Sequence, residues 1–112
     1  MQFLLPAVLA AVLMTGSAEA QPQTFAIMGL GTASCGSWTA ARRSGQALGY
    51  EQWTVGFAAG TASALGPSRG FDPLRGLDAN AVWAWIDNYC RVHPLETVET
   101  AAFQFVLAHP HP

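Results

Sequence analysis

The stretch DANAVWAWIDNYCRVH, Asp78 to His93, decides the fold. Asp78 stands directly before an apolar-periodic run, and its carboxylate suits the first orphan N–H groups of a helix. Val82, Ile86, Tyr89 and His93 recur three and four residues apart, so they form the inner stripe of a helix over about Ala79 to His93. Trp83 and Trp85, two residues apart, lie about 200° apart around that axis, on opposite flanks. Trp83 shares its side with Cys90. The outer side carries Asp87 and Arg91, an i,i+4 pair in the favourable order.

Working outward, His93-Pro94 ends this helix and starts another, because proline is disfavoured inside a helix and welcome in its first turn. Glu96 and Glu99 suit the positive N-terminal end of that last helix. Leu95, Val98, Ala102, Phe105, Val106 and His109 make its inner face. On the other side of Asp78, Leu65 to Leu77 reads as the longest break. It is punctuated by Gly66-Pro67, Gly70, Asp72-Pro73 and Gly76, with Arg69 and Arg75 between them. A helix from about Tyr50 to Ala64 precedes it, with Tyr50, Trp53, Gly56, Phe57, Gly60 and Ala64 on one face. Gly56 and Gly60 lower helix propensity, and their place on that face predicts close approach of a neighbouring backbone or ring. Thr32 or Ser34 caps a first helix running to about Arg43, with Cys35, Trp38 and Arg42 on one side. Gln21 to Gly31 reads as extended or irregular, and its Gly-Leu-Gly as a turn. The fold class is all-α: a small bundle of about four helices.

Phe3 to Met14 is an unbroken apolar run with one proline, and Ala18-Glu19-Ala20 follows as an A-x-A cleavage site. Residues 1–20 therefore read as a cleaved signal peptide, too short in their apolar run for a membrane anchor, although Met1-Gln2 lacks the usual basic residue. Residues 21–112 read as a single helical domain of 92 residues in the periplasm or the secreted fraction. Export makes an intramolecular disulfide between Cys35 and Cys90 the first reading, joining the first and third helices. Two buried thiols or an intermolecular bond are the alternatives. The bridge would close 55 residues of chain, which the chain-entropy argument values at about 4 kcal/mol.

The mature chain has five arginines, no lysine and six acids, for a side-chain charge of −1. With no basic stripe and no charged amphipathic helix, nucleic acid and membrane surfaces are not expected partners. A hydrolytic triad needs a nucleophile, a histidine and an orienting acid in one site. Here no nucleophile elbow exists, and Ser34 reads as a cap. Asp72 and Asp78 are explained as a turn residue and a cap before they are paired catalytic acids. His93, His109 and His111 could bind a metal together, but a frayed His-Pro-His tail and a half-buried junction histidine explain them more simply. The expectation is no enzyme, no metal and no cofactor. Of four tryptophans, Trp38, Trp53 and one of Trp83 and Trp85 are assigned to the core, leaving the other as a candidate exposed anchor of the kind enriched in binding hot spots.

Ser34-Cys35-Gly36-x-Trp38, Trp53-x-x-Gly56-Phe57-x-x-Gly60 and Trp85-Ile86-Asp87-Asn88-Tyr89-Cys90-x-x-His93-Pro94-Leu95 resemble a set of small exported proteobacterial proteins. More distantly, the layout is similar to the HdeA/HdeB-type periplasmic acid-stress chaperones and to the Tai/Rap-type immunity proteins, which block a rival's cell-wall amidase effector. The similarity covers most of residues 32–107. It implies a helical fold, a periplasmic setting, and Cys35 and Cys90 as the disulfide that joins two helices. The function expected is a non-catalytic protein-binding domain, immunity-protein-like, with an HdeA/HdeB-like chaperone as the alternative. Its partner is a protein, with a homodimer left open. The surface expected to carry binding is Arg69, Asp72 and Arg75 on the Leu65–Leu77 loop, together with Trp83 or Trp85.

Overall fold

The computed structural model describes residues 25–109. The expected signal peptide, residues 21–24 and His111 lie outside them. A 3-10 turn, Gly29–Thr32, leads into four helices: α1 (Cys35–Ser44), α2 (Leu48–Arg69), α3 (Ala79–Val92) and α4 (Val98–Leu107). Polar caps set three of the starts. Ser34, Asp78 and Thr97 each accept, through a side-chain oxygen, the N–H three residues on. Gly45 and Gly70 close α1 and α2 in the left-handed region, at φ 71° and 75°, where a β-carbon would be strained.

The all-α fold stands as read, and Cys35 and Cys90 are bonded across α1 and α3, with Cα atoms 4.8 Å apart. The core gathers Trp38 from α1, Ala58 and Ala62 from α2, Val82 and Ile86 from α3, and Val98, Ala101, Ala102, Phe105 and Val106 from α4 around that bond. Next to the disulfide the chain makes one short antiparallel bridge, Ser34 to Thr97. Cys35 N–H donates to the Glu96 carbonyl at 2.7 Å, and Val98 N–H to the Ala33 carbonyl at 2.9 Å. The starts of α1 and α4 are thereby fixed to each other.

Several local readings are corrected. The second helix does not stop at Ala64 but continues to Arg69 through Pro67. A proline normally disfavours helical geometry in the residue before it through that residue's β-carbon, and here the preceding residue is Gly66. The missing proline N–H falls in the last turn, and Gly70 N–H closes on the Gly66 carbonyl at 2.8 Å. The buried face of α2 is Thr54, Ala58, Ala62 and Gly66, not the aromatic–glycine face. Small residues there let α2 lie close on α4. Among the described residues a β-carbon at Gly56 or Gly60 would meet nothing within 4 Å, so no close approach there uses them.

The most crowded glycine, Gly31, lies in the 3-10 turn. The Trp53 indole covers Gly29 and Gly31, donates to the Met28 carbonyl at 3.0 Å, and stacks on Phe57. Trp53 is consequently half-buried rather than central. The last helix begins at Val98, not Pro94, and Leu95 sits at the tip of the connection, 94% exposed. Finally, Asp87 does not pair with Arg91; it turns to α1.

Candidate functional site

The most developed side-chain network lies between α1, α3 and the start of α2. α1 and α3 run antiparallel, with Cys35 against Cys90 and Trp38 and Arg42 against Asp87. Trp38 is wholly buried, so its indole N–H requires a partner; Asp87 accepts it at 2.8 Å. The same carboxylate takes a two-pronged bond from Arg42, Nε at 3.0 Å and Nη2 at 2.9 Å. Nη1 of Arg42 reaches Glu51 on α2 at 3.2 Å. The guanidinium also lies 5.7 Å from the Trp38 ring and 5.9 Å from the Trp83 ring. The hydrogen bond to Asp87 leads the causes that raise the Arg42 pKa above its usual value, against partial burial. This cluster is a clamp: three helices meet on one cation.

The residues expected to carry binding are distributed unevenly. Arg69 is exposed in the last turn of α2, not in a loop. Asp72 is exposed and its carboxylate accepts Leu74 N–H at 2.9 Å, the turn role read from Asp72-Pro73; Pro73 itself is buried. Arg75 is exposed in the same connection. These three belong to one segment.

Trp83 and Trp85 do not join it. Trp83 is half-buried and its N–H donates to the Glu51 carbonyl at 3.0 Å, roughly 27 Å along α2 from Arg69 at 1.5 Å per residue. Trp85, also half-buried, faces α4. It stacks on Tyr89 at 5.3 Å and meets Phe105 edge-on at 5.7 Å. The opposite-flank placement holds, but each flank has its own neighbour. His93 caps α3 and stacks on Tyr89 at 4.2 Å, and the Tyr89 hydroxyl donates to Glu96. Burial, then the bond to Glu96, pushes the Tyr89 pKa up to about 12.

Two features escaped the sequence reading. The first is a trough between the outer faces of α1 and α3. Its larger part, about 440 Å³, is lined by Thr39, Arg42, Arg43, Asp87, Asn88 and Arg91. A second part, about 270 Å³, shares Thr39, Arg43 and Arg91 and continues past Gly36 to Pro94. Arg43 and Arg91 lie on helices far apart in sequence, so only α1–α3 pairing brings them together. That pairing was available in the Cys35–Cys90 reading.

The second feature is a division of labour between charges. Every acid among the described residues is hydrogen-bonded: Glu51 and Asp87 to Arg42, Asp72 and Asp78 to backbone N–H groups, Glu96 to Tyr89, and Glu99 to Thr100. Of the five arginines only Arg42 is paired with a carboxylate; Arg43, Arg69, Arg75 and Arg91 are exposed and have no ion-pair partner among the described residues. A chain that is slightly acidic by count turns its unspent cations outward.

Among the described residues no group of three His, Cys, Asp or Glu side chains is placed to hold a metal ion, and no helix is long and apolar enough to cross a membrane. Compared with known proteins, the chain matches no family model, no curated protein and no solved structure.

Proposed function

We propose that this protein is an exported, non-catalytic binding domain of the periplasm or secreted fraction that recognises an acidic surface on a partner protein, in the manner of an immunity protein. The observation that carries this reading is the charge division: structural hydrogen bonds occupy the acids, while four arginines stand on the surface with no carboxylate partner among the described residues. Uncompensated surface cations steer association and set specificity. The disulfide and the Arg42 clamp supply a rigid support, which reduces the ordering cost of binding. Arg69 and Arg75, beside the Asp72 turn, make one such cationic segment.

The test is affinity capture from an envelope extract of the host with the oxidised protein as bait. A single retained protein that is released between about 50 mM and 500 mM salt supports charge-led recognition. Retention that is unaffected by salt, or absent at low salt, refutes it.

A second reading, an HdeA/HdeB-like acid-stress chaperone, draws on Asp87. Arg42 meets two carboxylates, Asp87 and Glu51, where α1, α3 and α2 converge, so this junction of three helices rests on charge. The discriminating measurement is made at about pH 2–3, where acid-expanded states bind hydrophobic dyes. Dye binding with suppressed aggregation of an unrelated acid-denatured protein favours the chaperone; a compact protein, or one that precipitates with its client, favours the specific binder.

A further inference from the structure

The α1–α3 trough has the chemistry of a seat for a particular kind of segment. Its floor is small or short, with exposed Gly36 and Ala40 and half-buried Thr39. Arg43 and Arg91 line both of its parts and have no ion-pair partner among the described residues. The acid in the trough, Asp87, is already engaged by Trp38 and by two nitrogens of Arg42, so it does not neutralise them. Asn88 adds an exposed amide. From Gly36 to Arg43 the trough follows about 10 Å of helix, the length of about three extended residues. The walls cannot splay apart at the Cys35 end, where the disulfide joins them.

We propose that the trough seats an extended acidic segment of the partner protein, with Arg43 and Arg91 each pairing with one of its carboxylates. This inference rests on the reading of the protein as a protein binder and adds the site and the chemistry of the segment. Charge complementarity selects an acidic occupant, and the short side chains of the floor leave room for its backbone to lie close to α1. Guanidinium groups suit carboxylates because their fork matches both oxygens.

The probe is a fluorescein-labelled hexapeptide of alternating Asp and Gly, with the Lys–Gly peptide as control, titrated against the oxidised protein by fluorescence anisotropy. The expected result is saturable binding of the Asp peptide alone. Arg43→Ala and Arg91→Ala should each weaken it about fivefold, the upper range for an exposed ion pair. Arg43→Lys and Arg91→Lys should weaken it less, and the Arg69→Ala/Arg75→Ala pair should weaken it less than either Arg43→Ala or Arg91→Ala. Arg43 and Arg91 are exposed and have no ion-pair partner among the described residues, so their variants should keep the parental melting temperature, which is measured alongside.

Equal loss in the Arg69/Arg75 variant would overturn the trough as the seat in favour of diffuse attraction. So would unchanged binding in the Arg43 and Arg91 variants, or tighter binding of oligothymidylate than of the peptide. Displacement of the peptide by an equal concentration of inorganic phosphate would reduce the site to a simple anion site. If the peptide fails while salt-sensitive capture of a partner persists, only the trough proposal falls.

Discussion

The Asp87 carboxylate accepts the buried indole N–H of Trp38 at 2.8 Å while holding Arg42 through both of its oxygens. Asp87→Ala would leave the Trp38 N–H without a partner inside the core and Arg42 with only Glu51. The expected loss is about 1–3 kcal/mol in urea unfolding, the cost of an orphaned buried donor. Asp87→Asn retains a neutral acceptor and should lose less. Equal stability of Asp87→Ala and the parent protein would remove the clamp from the account.

The Cys35–Cys90 bond joins α1 to α3 across 55 residues of sequence. Cys90→Ser should cost about 2–5 kcal/mol, the usual range for a small exported domain. Peptide mapping without reductant should recover the two cysteine peptides linked. Complete alkylation without reductant would contradict the bond.

Glycines that look alike in sequence should respond in opposite directions. Gly31→Ala would drive a β-carbon into the Trp53 ring, and the ring is held by its bond to Met28 and its stack on Phe57. Overpacking of this kind costs about 1–3 kcal/mol. Gly56→Ala and Gly60→Ala meet open space on a helix and should each stabilise by about 0.5–1 kcal/mol. Thermal melts of the three variants decide the matter. A stabilising Gly31→Ala would mean that Trp53 does not cover the turn.

Tyr89 gives an alkaline signature. Its pKa is pushed up to about 12 from the usual 10, so between these values the folded protein keeps a proton that the unfolded chain has lost. Its contribution to stability is complete below pH 10 and is lost as pH rises through that window. Ultraviolet titration should show a phenol that ionises near 12. In Glu96→Gln it should move down yet stay above 10, because burial is the larger cause. Titration of Tyr89 at 10 in the parent protein would contradict its contact with Glu96.

Much of the frame was legible because local chemistry writes it directly. Ser34 and Asp78 are cap residues before apolar-periodic runs, and the α3 stripe through Val82 and Ile86 follows helical spacing. What local pattern could not supply was the choice among partners. Asp87 has a favourable Arg91 one turn on, yet Arg42 offers a two-pronged bond and Trp38 a buried donor, and the tertiary pair wins. In α2 the large residues at 53 and 57 suggested the inner face, whereas close packing on α4 selects Ala58 and Ala62. Gly66 made Pro67 tolerable in a helix, which hid the helix end. Arg69, Asp72 and Arg75 were named from their segment alone. The Arg43–Arg91 trough needed the pairing of two helices before it could be seen.

If outward arginines recognise the partner protein, capture by the parent protein should differ from capture by a variant carrying Arg43→Ala, Arg69→Ala, Arg75→Ala and Arg91→Ala. All four side chains are exposed, and exposed substitutions usually change stability by less than about 0.5 kcal/mol each. Both baits should therefore melt alike. A partner retained by the parent protein should be lost from the folded variant. Equal retention of that partner by the folded variant would contradict it.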